Sequence, residues 1–318
     1  MRHNDSFQDA TGPRRLALLT PSYRADIERF GLLRESLNAQ GCDWPHVAVI
    51  QTEDLPLFRN RFGNDGLIQW LASAEVVAPV VERERLRTNA MMTTRRKLRR
   101  SLNKRFGGFA FATYDGWHVQ QIVKLAVPAL LDFDAYVTLD SDVIVTGCPQ
   151  LEHFYQNGRF ALYAAPGDNF SHWADAAARV LGLAVGCNRD HSYVSHPFLF
   201  ESGAIKKLHQ HLESLHARPW WQALLAQRAG DLSEFTLYGS FVQYLLPGNQ
   251  YFCAIPNGRT RWVISAEDRA QVGAAITEAF SGTETDYLVL QAHRHWPVEP
   301  HLPFVRALLD DVRSRRRG

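Results

Sequence analysis

The sequence predicts an α/β protein with a Rossmann-like, mostly parallel central sheet flanked by helices. Three observations predict it. The first part of the chain alternates short apolar runs with a helix-spaced segment, and strand, helix, strand at this spacing implies a right-handed crossover. A later apolar run, Tyr136–Val145, carries an acidic pair, Asp140 and Asp142, near its end. The 318 residues show no internal repeat and no low-complexity linker, so a single domain over residues 15–300 fits best.

In chain order, residues 1–14 are polar and read as a flexible tail. Arg15–Thr20 reads as the first strand, ended by Pro21, with Ser22-Tyr23-Arg24 as the loop that follows. Asp26–Gln40 places Ile27, Phe30, Leu33 and Leu37 at helical spacing, and Gly41 closes the pattern. His46–Thr52 reads as a second strand and Glu75–Val80 as a third. Residues 83–109 form a basic insertion, with ten Lys or Arg between Arg83 and Arg105. Few aromatic residues are interleaved to stack bases, so the reading is a solvated or mobile segment that closes over an anionic ligand or touches anionic lipid. Gly116–Leu131 reads as a helix whose Gln120, Gln121 and Lys124 line one stripe. A lysine inside an otherwise apolar helix asks for an anion: a diphosphate, or a structural carboxylate.

The second half is less regular. Phe160–Ala164 reads as a strand and Ser171–Leu183 as a helix. His196–Gly203 reads as a turn into a helix through about Leu215, and Trp220–Gln227 and Leu232–Leu246 as further helices. Tyr251–Ile255 and Tyr287–Gln291 read as strands with a helix, Ala266–Phe280, between them. A helix from Pro303 to about Val312 and a basic tail fill residues 301–318.

Net charge is +2, with 46% hydrophobic and 21% charged residues, which gives no reason to invoke nucleic acid as a partner. No run approaches the roughly 18 apolar residues of a membrane span, and the first ten residues lack the apolar core of a signal peptide. Cys42, Cys148, Cys187 and Cys253 are widely spaced and read as thiols of a reducing compartment. The expected location is cytoplasmic, with peripheral contact at the inner membrane as an extension of that reading.

Asp140 and Asp142 carry the chemistry. In an extended chain, residues i and i+2 point the same way, so both carboxylates face one side and Ser141 the other. Two such carboxylates repel unless a cation or proton intervenes. Hard oxygen ligands of this kind suit Mn²⁺ or Mg²⁺ shared with substrate phosphates. In open parallel sheets ligands sit beyond the carboxyl ends of the strands, so the Thr20–Tyr23 loop and the acidic pair are expected on one rim.

Four segments together resemble a family. They are Thr20-Pro21-Ser22-Tyr23, Gly116-Trp117 with Gln120-Gln121 and Lys124-Leu125, Leu139-Asp140-Ser141-Asp142-Val143, and Ser233-Glu234-Phe235 with Tyr238-Gly239. The chain resembles an uncharacterised bacterial family of glycosyltransferase-like proteins and, more distantly, the glycogenin-like nucleotide-sugar transferases of the GT-A fold. The resemblance spans roughly residues 15 to 296. It implies a GT-A-type sheet, Mn²⁺ or Mg²⁺ as cofactor, a nucleotide-diphospho-sugar donor, and a glycan or lipid-linked acceptor in bacterial surface-glycan synthesis. By the same resemblance Asp140, Asp142 and His293 would bind the metal, with His295 in reserve. Lys124 would contact the donor, and Ser141 would approach its ribose. Two departures stand out: Glu201-Ser202-Gly203 replaces the relatives' Asn-Ser-Gly, and their late Gly-x-x-Lys-Pro-Trp loop is missing after His295.

Breaking a glycosyl–diphosphate bond builds positive charge on the anomeric carbon and negative charge on the leaving group. Lys124, with an arginine of the basic insertion, would supply positive charge. Tyr23 could pack on the base while Thr20 and its loop fix the edge. Glu234 is the candidate catalytic carboxylate, or else a first-turn residue favoured by the helix dipole. Glu201 and Asp231 are weaker candidates. Trp220, Trp221 and Trp262 could stack on sugar faces. Two rivals remain. A haloacid-dehalogenase-type phosphotransferase would use Asp140 as nucleophile and Asp142 as acid/base, although its motif normally opens the fold. A basic nucleic-acid or membrane-surface adaptor would use Arg83–Arg105 but leaves the acidic pair unexplained.

Overall fold

A computed structural model describes residues 14–107, 116–167, 170–228, 230–246, 252–255, 259–263, 271–282, 284–291 and 298–317. The central sheet contains β1 (Leu16–Ser22), β2 (His46–Ile50), β3 (Ile68–Ala72) and β4 (Ala135–Thr138). Their order is β3-β2-β1-β4, all parallel, with β10 (Phe198–Glu201) antiparallel on the outer edge of β4. β1, β2 and β4 are buried along their whole length, as parallel strands covered on both faces must be. Helices α1 (Ile27–Ala39), α2 (Leu55–Phe62), α3 (Ser73–Val76), α4 (Pro79–Ala90), α5 (Thr93–Phe106) and α6 (Gly116–Leu130) belong to this half.

β5 (Val143–Val145) leaves this sheet and pairs antiparallel with β13 (Tyr287–Leu290), which lies parallel to β12 (Thr260–Val263). β6 (Tyr155–Gln156), β7 (Arg159–Tyr163) and β11 (Phe252–Ile255) form another small sheet, and β8 (Ala165–Pro166) with β9 (His191–Ser192) a ribbon. Helices α7 (Ser171–Leu181), α8 (Ser202–His216), α9 (Trp220–Leu225) and α10 (Glu234–Tyr244) complete the second half, with two more at Val272–Ser281 and Leu302–Arg317. The main core runs continuously from β1, β2 and β4 through α6 to α8 and α10. A second cluster joins α1 to β5, β13 and the C-terminal helix.

Several elements differ from the sequence reading. β1 does not stop at Pro21. Leu18 N–H donates toward the β2 side, to Pro45 O at 2.8 Å. Strand alternation therefore turns the donorless nitrogen of Pro21 toward β4, which pairs only with Leu16–Leu19. No ladder bond is lost there, and proline is tolerated. The third strand is Ile68–Ala72, where buried Ile68, Trp70 and Ala72 alternate with exposed or half-buried neighbours. The expected strand Glu75–Val80 instead falls on α3 and the start of α4. Glu75 Oε2 accepts Ala72 N–H at 2.6 Å, which starts a helix at that point. Phe198–Glu201 is a strand rather than part of a turn, since a short apolar run satisfies either reading. The basic insertion is helical, and the C-terminal helix runs through the basic tail to Arg317. No helix among the described residues is long and apolar enough to cross a membrane.

Candidate active site

The acidic pair sits at the carboxyl end of β4, on a turn rather than an extended segment. Val143 N–H closes the turn onto Asp140 O at 3.1 Å. Strand alternation therefore does not aim these two carboxylates; the turn and its neighbours do. Leu139 N–H donates to Leu19 O at 3.1 Å, and Leu290 N–H donates to Asp142 O at 2.9 Å. β1 thus holds one side of the turn and the end of β13 the other.

Thr20 is fully buried behind the turn. Its hydroxyl donates to Leu139 O at 2.7 Å and lies 2.9 Å from His46 Nε2. His46 Nδ1 in turn lies 2.9 Å from Arg34, which pairs with Asp65. Burial first, and then Arg34, pushes the His46 imidazole well below its ordinary pKa, so it stays neutral. Thr20 therefore braces the turn through its side chain.

Lys124, buried in α6, joins two carboxylates. Its Nζ lies 2.8 Å from Asp140 Oδ1 and 2.9 Å from Glu234 Oε1, and 4.7 Å from the centre of the Phe235 ring. Burial opposes its charge, but Asp140 and Glu234 outweigh burial and raise the lysine pKa. Asp140 shows the mirror image: burial would raise its pKa, yet Lys124 and His196 hold it well below the usual carboxylate range. His196 Nε2 lies 3.1 Å from Asp140 Oδ2. Its ring packs against Trp262 at 5.6 Å and edge-on against Phe235 at 5.5 Å.

Glu234 is the first residue of α10, but Ser233 does the capping, accepting Thr236 N–H at 3.3 Å. The Glu234 carboxylate is left for Lys124, while its own N–H donates to Gln121 Oε1 at 3.1 Å. The lysine and glutamine stripe read from the sequence therefore meets Glu234. Asp26 lies at the same rim. Its carboxyl is pushed up to about 6 by burial, then by Asp142 and more weakly by Asp140, against Arg29 at 3.9 Å and a hydrogen bond with Ser141. Arg29 also donates to Leu290 O at 2.9 Å. Tyr23 is partly exposed next to this group, preceding the short 3₁₀ turn Arg24–Asp26.

The rim thus gathers Asp26, Asp140, Asp142 and Glu234 against Lys124 and Arg29. Of the residues singled out from the sequence, the structure brings Thr20, Tyr23, Lys124, Asp140, Ser141, Asp142 and Glu234 together at this rim. His196, Asp26 and Arg29, not singled out from the sequence, lie beside them. His196 is brought in by register: Phe198 pairs with Thr138, so the residues before Phe198 run alongside those after Thr138. Glu201 lies elsewhere, capping α8 through Gly203 and Ala204 N–H. Asp231 pairs with Arg179 at 3.8 Å, and Trp220 stacks on His209. Of the basic insertion, Arg85 is taken up by carboxylates of its own. Arg85 is fully buried, holding Glu53 at 2.6 Å and Glu82 at 2.9 Å. His293 and His295 lie outside the described residues. Among the described residues no group of three or more His, Cys, Asp or Glu is close enough to hold a metal ion.

Asp140 and Asp142 share one tight turn and are oxygen donors of the kind a divalent ion takes, while the two Asp140 oxygens meet Lys124 and His196 here. Among solved structures, the chain is similar to the glycosyltransferase GlyE of Streptococcus pneumoniae TIGR4, with a TM-score of 0.42 and 12% identity over 96% of this chain and 64% of that one. It is similar to the galactosyltransferase LgtC, solved with donor and acceptor sugar analogues, with a TM-score of 0.43 and 10% identity over 93% and 95% of the two chains. It is also similar to mouse xyloside xylosyltransferase 1, with a TM-score of 0.45 and 11% identity over 88% and 99%. The chain thus spans less than two thirds of GlyE. No curated protein matches it. A family model does match, over residues 16–262, and the chain accordingly belongs to the family of unknown function DUF6492.

Proposed function

We propose that this rim transfers a sugar from a nucleotide-diphospho-sugar to a hydroxyl of a glycan or lipid-linked acceptor, with Mn²⁺ or Mg²⁺, on the cytoplasmic side of a bacterial membrane. The observation that carries the reading is the cluster at the carboxyl end of β4: among the described residues, Asp26, Asp140, Asp142 and Glu234 gather with Lys124 and Arg29 around a turn braced from behind. Such a cluster is built to receive a cation and, with it, a polyanion.

Asp140 and Asp142 would hold the ion, with His293 as the third ligand, and the ion would act on the departing diphosphate as a Lewis acid. Lys124 clamps Asp140 and Glu234 in fixed positions, so neither carboxylate must reorganise as charge develops. Glu234 stays close to the acidic turn yet clear of helix capping, placed to accept the acceptor's proton or to support the cationic sugar. Ser141, hydrogen-bonded to Asp26, and Tyr23, just after β1, would meet the ribose and base of the donor. Trp262, packed on His196, offers an apolar face to a sugar ring.

A phosphotransferase reading finds no support. Asp310-Asp311 sits in the C-terminal helix, paired with Arg313 and Arg315.

The test is a thermal-shift panel of nucleotide sugars with and without Mn²⁺. A donor at a hundredfold over its Kd should raise the Tm by about 5 °C in the presence of the ion. Asp142→Ala should abolish the metal-dependent part. A variant that responds like the wild type, or a wild type that answers no nucleotide, would overturn the assignment.

A further inference from the structure

Helix α5 concentrates charge that the active site does not use. Thr93–Phe106 carries Arg95, Arg96, Lys97, Arg99, Arg100, Lys104 and Arg105 and no acidic residue. Among the described residues, its ion pair with a described carboxylate runs from Arg99 to Glu84 at 3.8 Å. So many like charges on one helix repel unless a counter-charge arrives from outside.

A merely solvated face would not also present large apolar groups. Met92 just before the helix is 68% exposed, and Leu98 and Phe106 within it are each 63% exposed. Cations interleaved with exposed Leu, Met and Phe are the composition of a helix lying in a membrane interface. A nucleic-acid site would call for stacking aromatics along the groove, and α5 offers one.

The helix is fixed at its far end. Asn103 is buried and donates to Gln227 O at 3.4 Å, and Gly107, at φ +64°, ends the helix where a Cβ would lie 3.5 Å from Ala226 O. At that foot a cavity of about 500 Å³ is lined by Phe106, Arg179, Arg218, Arg228 and Asp231; Arg179 pairs with Asp231, leaving Arg218 and Arg228 to meet a phosphoryl headgroup.

We propose that α5 docks this protein onto a bilayer containing anionic phospholipid, with Met92, Leu98 and Phe106 entering the interface and the cations meeting lipid phosphates. Helix α4 is tied to the rim. Arg85 of α4 binds Gln51 and Glu53 just past β2, and Glu84 of α4 pairs with Arg99 of α5 at 3.8 Å. Resting on the transferase reading, docking would bring that rim to the lipid and make the acceptor a lipid-carried one. Vesicle binding itself does not depend on that reading.

The test is flotation of the full chain with vesicles of phosphatidylcholine alone or with phosphatidylglycerol added. Wild-type partitioning should rise at least about tenfold with the acidic lipid, and Arg95→Glu with Lys97→Glu, Arg100→Glu and Lys104→Glu should lower it roughly a hundredfold. Leu98→Ser with Phe106→Ser keeps the charge and should cost about fivefold or more. These positions are exposed, and unchanged thermal melts would show that the variants fold. No preference for acidic vesicles, no effect of the serine pair, or tighter binding to a homopolymeric RNA at the same salt would each overturn the proposal. The nucleotide-sugar shift should persist in every variant. Vesicle binding without any nucleotide response would therefore sink the transferase reading alone, and the reverse result would sink the docking alone.

Discussion

Glu201 and Glu234 each stand at the start of a buried helix, and they do opposite things. Glu201 is the N-cap of α8, its carboxylate spent on Gly203 and Ala204 N–H, while its own N–H donates to the Tyr238 hydroxyl at 2.9 Å. Glu234 stands one residue inside α10, where Ser233 already caps, and its carboxylate crosses to Lys124. A carboxylate becomes available for chemistry when another group satisfies the helix end. The same contrast separates the two buried cations. Arg85 is enclosed by Glu53, Glu82 and Gln51 and works as a brace. Lys124 joins two carboxylates at a rim where, among the described residues, Asp26 and Asp142 also gather.

The largest effect should come from breaking the contrast at Glu234. Glu234→Gln should lower turnover by roughly 10²–10⁴-fold, the usual reach of a positioned acid or base, while Glu201→Gln leaves turnover per folded molecule near wild type. Equal losses in steady-state assays would mean that both glutamates serve the fold.

Next comes Lys124→Met, which leaves Glu234 buried beside Asp140 with no cation between them. Breaking a buried pair in this way should cost about 3–5 kcal/mol in denaturant unfolding. Adding Glu234→Gln should restore part of that stability and none of the activity, because the like charges are then relieved while the carboxylate is gone.

A smaller effect tests the brace behind the turn. His46 has a folded pKa below its unfolded value, so its neutral form is favoured in the native protein. Its stability is intact above the unfolded pKa, and below about pH 6.5 it should fall by up to about 1.4 kcal/mol per pH unit as the unfolded chain takes up a proton. His46→Gln should flatten that part of the stability profile; an unchanged slope would place the acid sensitivity elsewhere. The smallest effect is Glu201→Ala, which removes a cap and should cost about 1 kcal/mol in the same unfolding assay with activity unchanged.

Much of the fold was legible because local signals agreed. The strands at Leu16, His46 and Ala135 are continuous apolar runs, and α1 and α6 repeat at helical spacing. The misplaced third strand shows the limit. Val76 and Val77 look as strand-like as Ile68 and Trp70, and only a capping carboxylate three residues from Ala72 separates them. The cluster at the rim was legible in part, at Asp140, Lys124 and Glu234, which the structure joins directly, and at Asp142 on the same turn. Asp26 and Arg29 escaped notice inside an ordinary amphipathic helix start, and His196 because nothing local marks it.

The sequence by itself determined which groups are available: an acidic pair after a buried strand, a lysine in an apolar helix, a serine before a glutamate and a basic segment rich in arginine. Tertiary structure decided their partners. It turned the acidic pair onto a bend, ran His196 past Asp140 through the antiparallel register of β10, and enclosed Arg85 while leaving α5 exposed. The reason is physical. Helix and strand periodicity arise within a few residues, whereas an ion pair such as Lys124–Glu234 joins groups 110 positions apart and exists only after the sheet and its helices have packed.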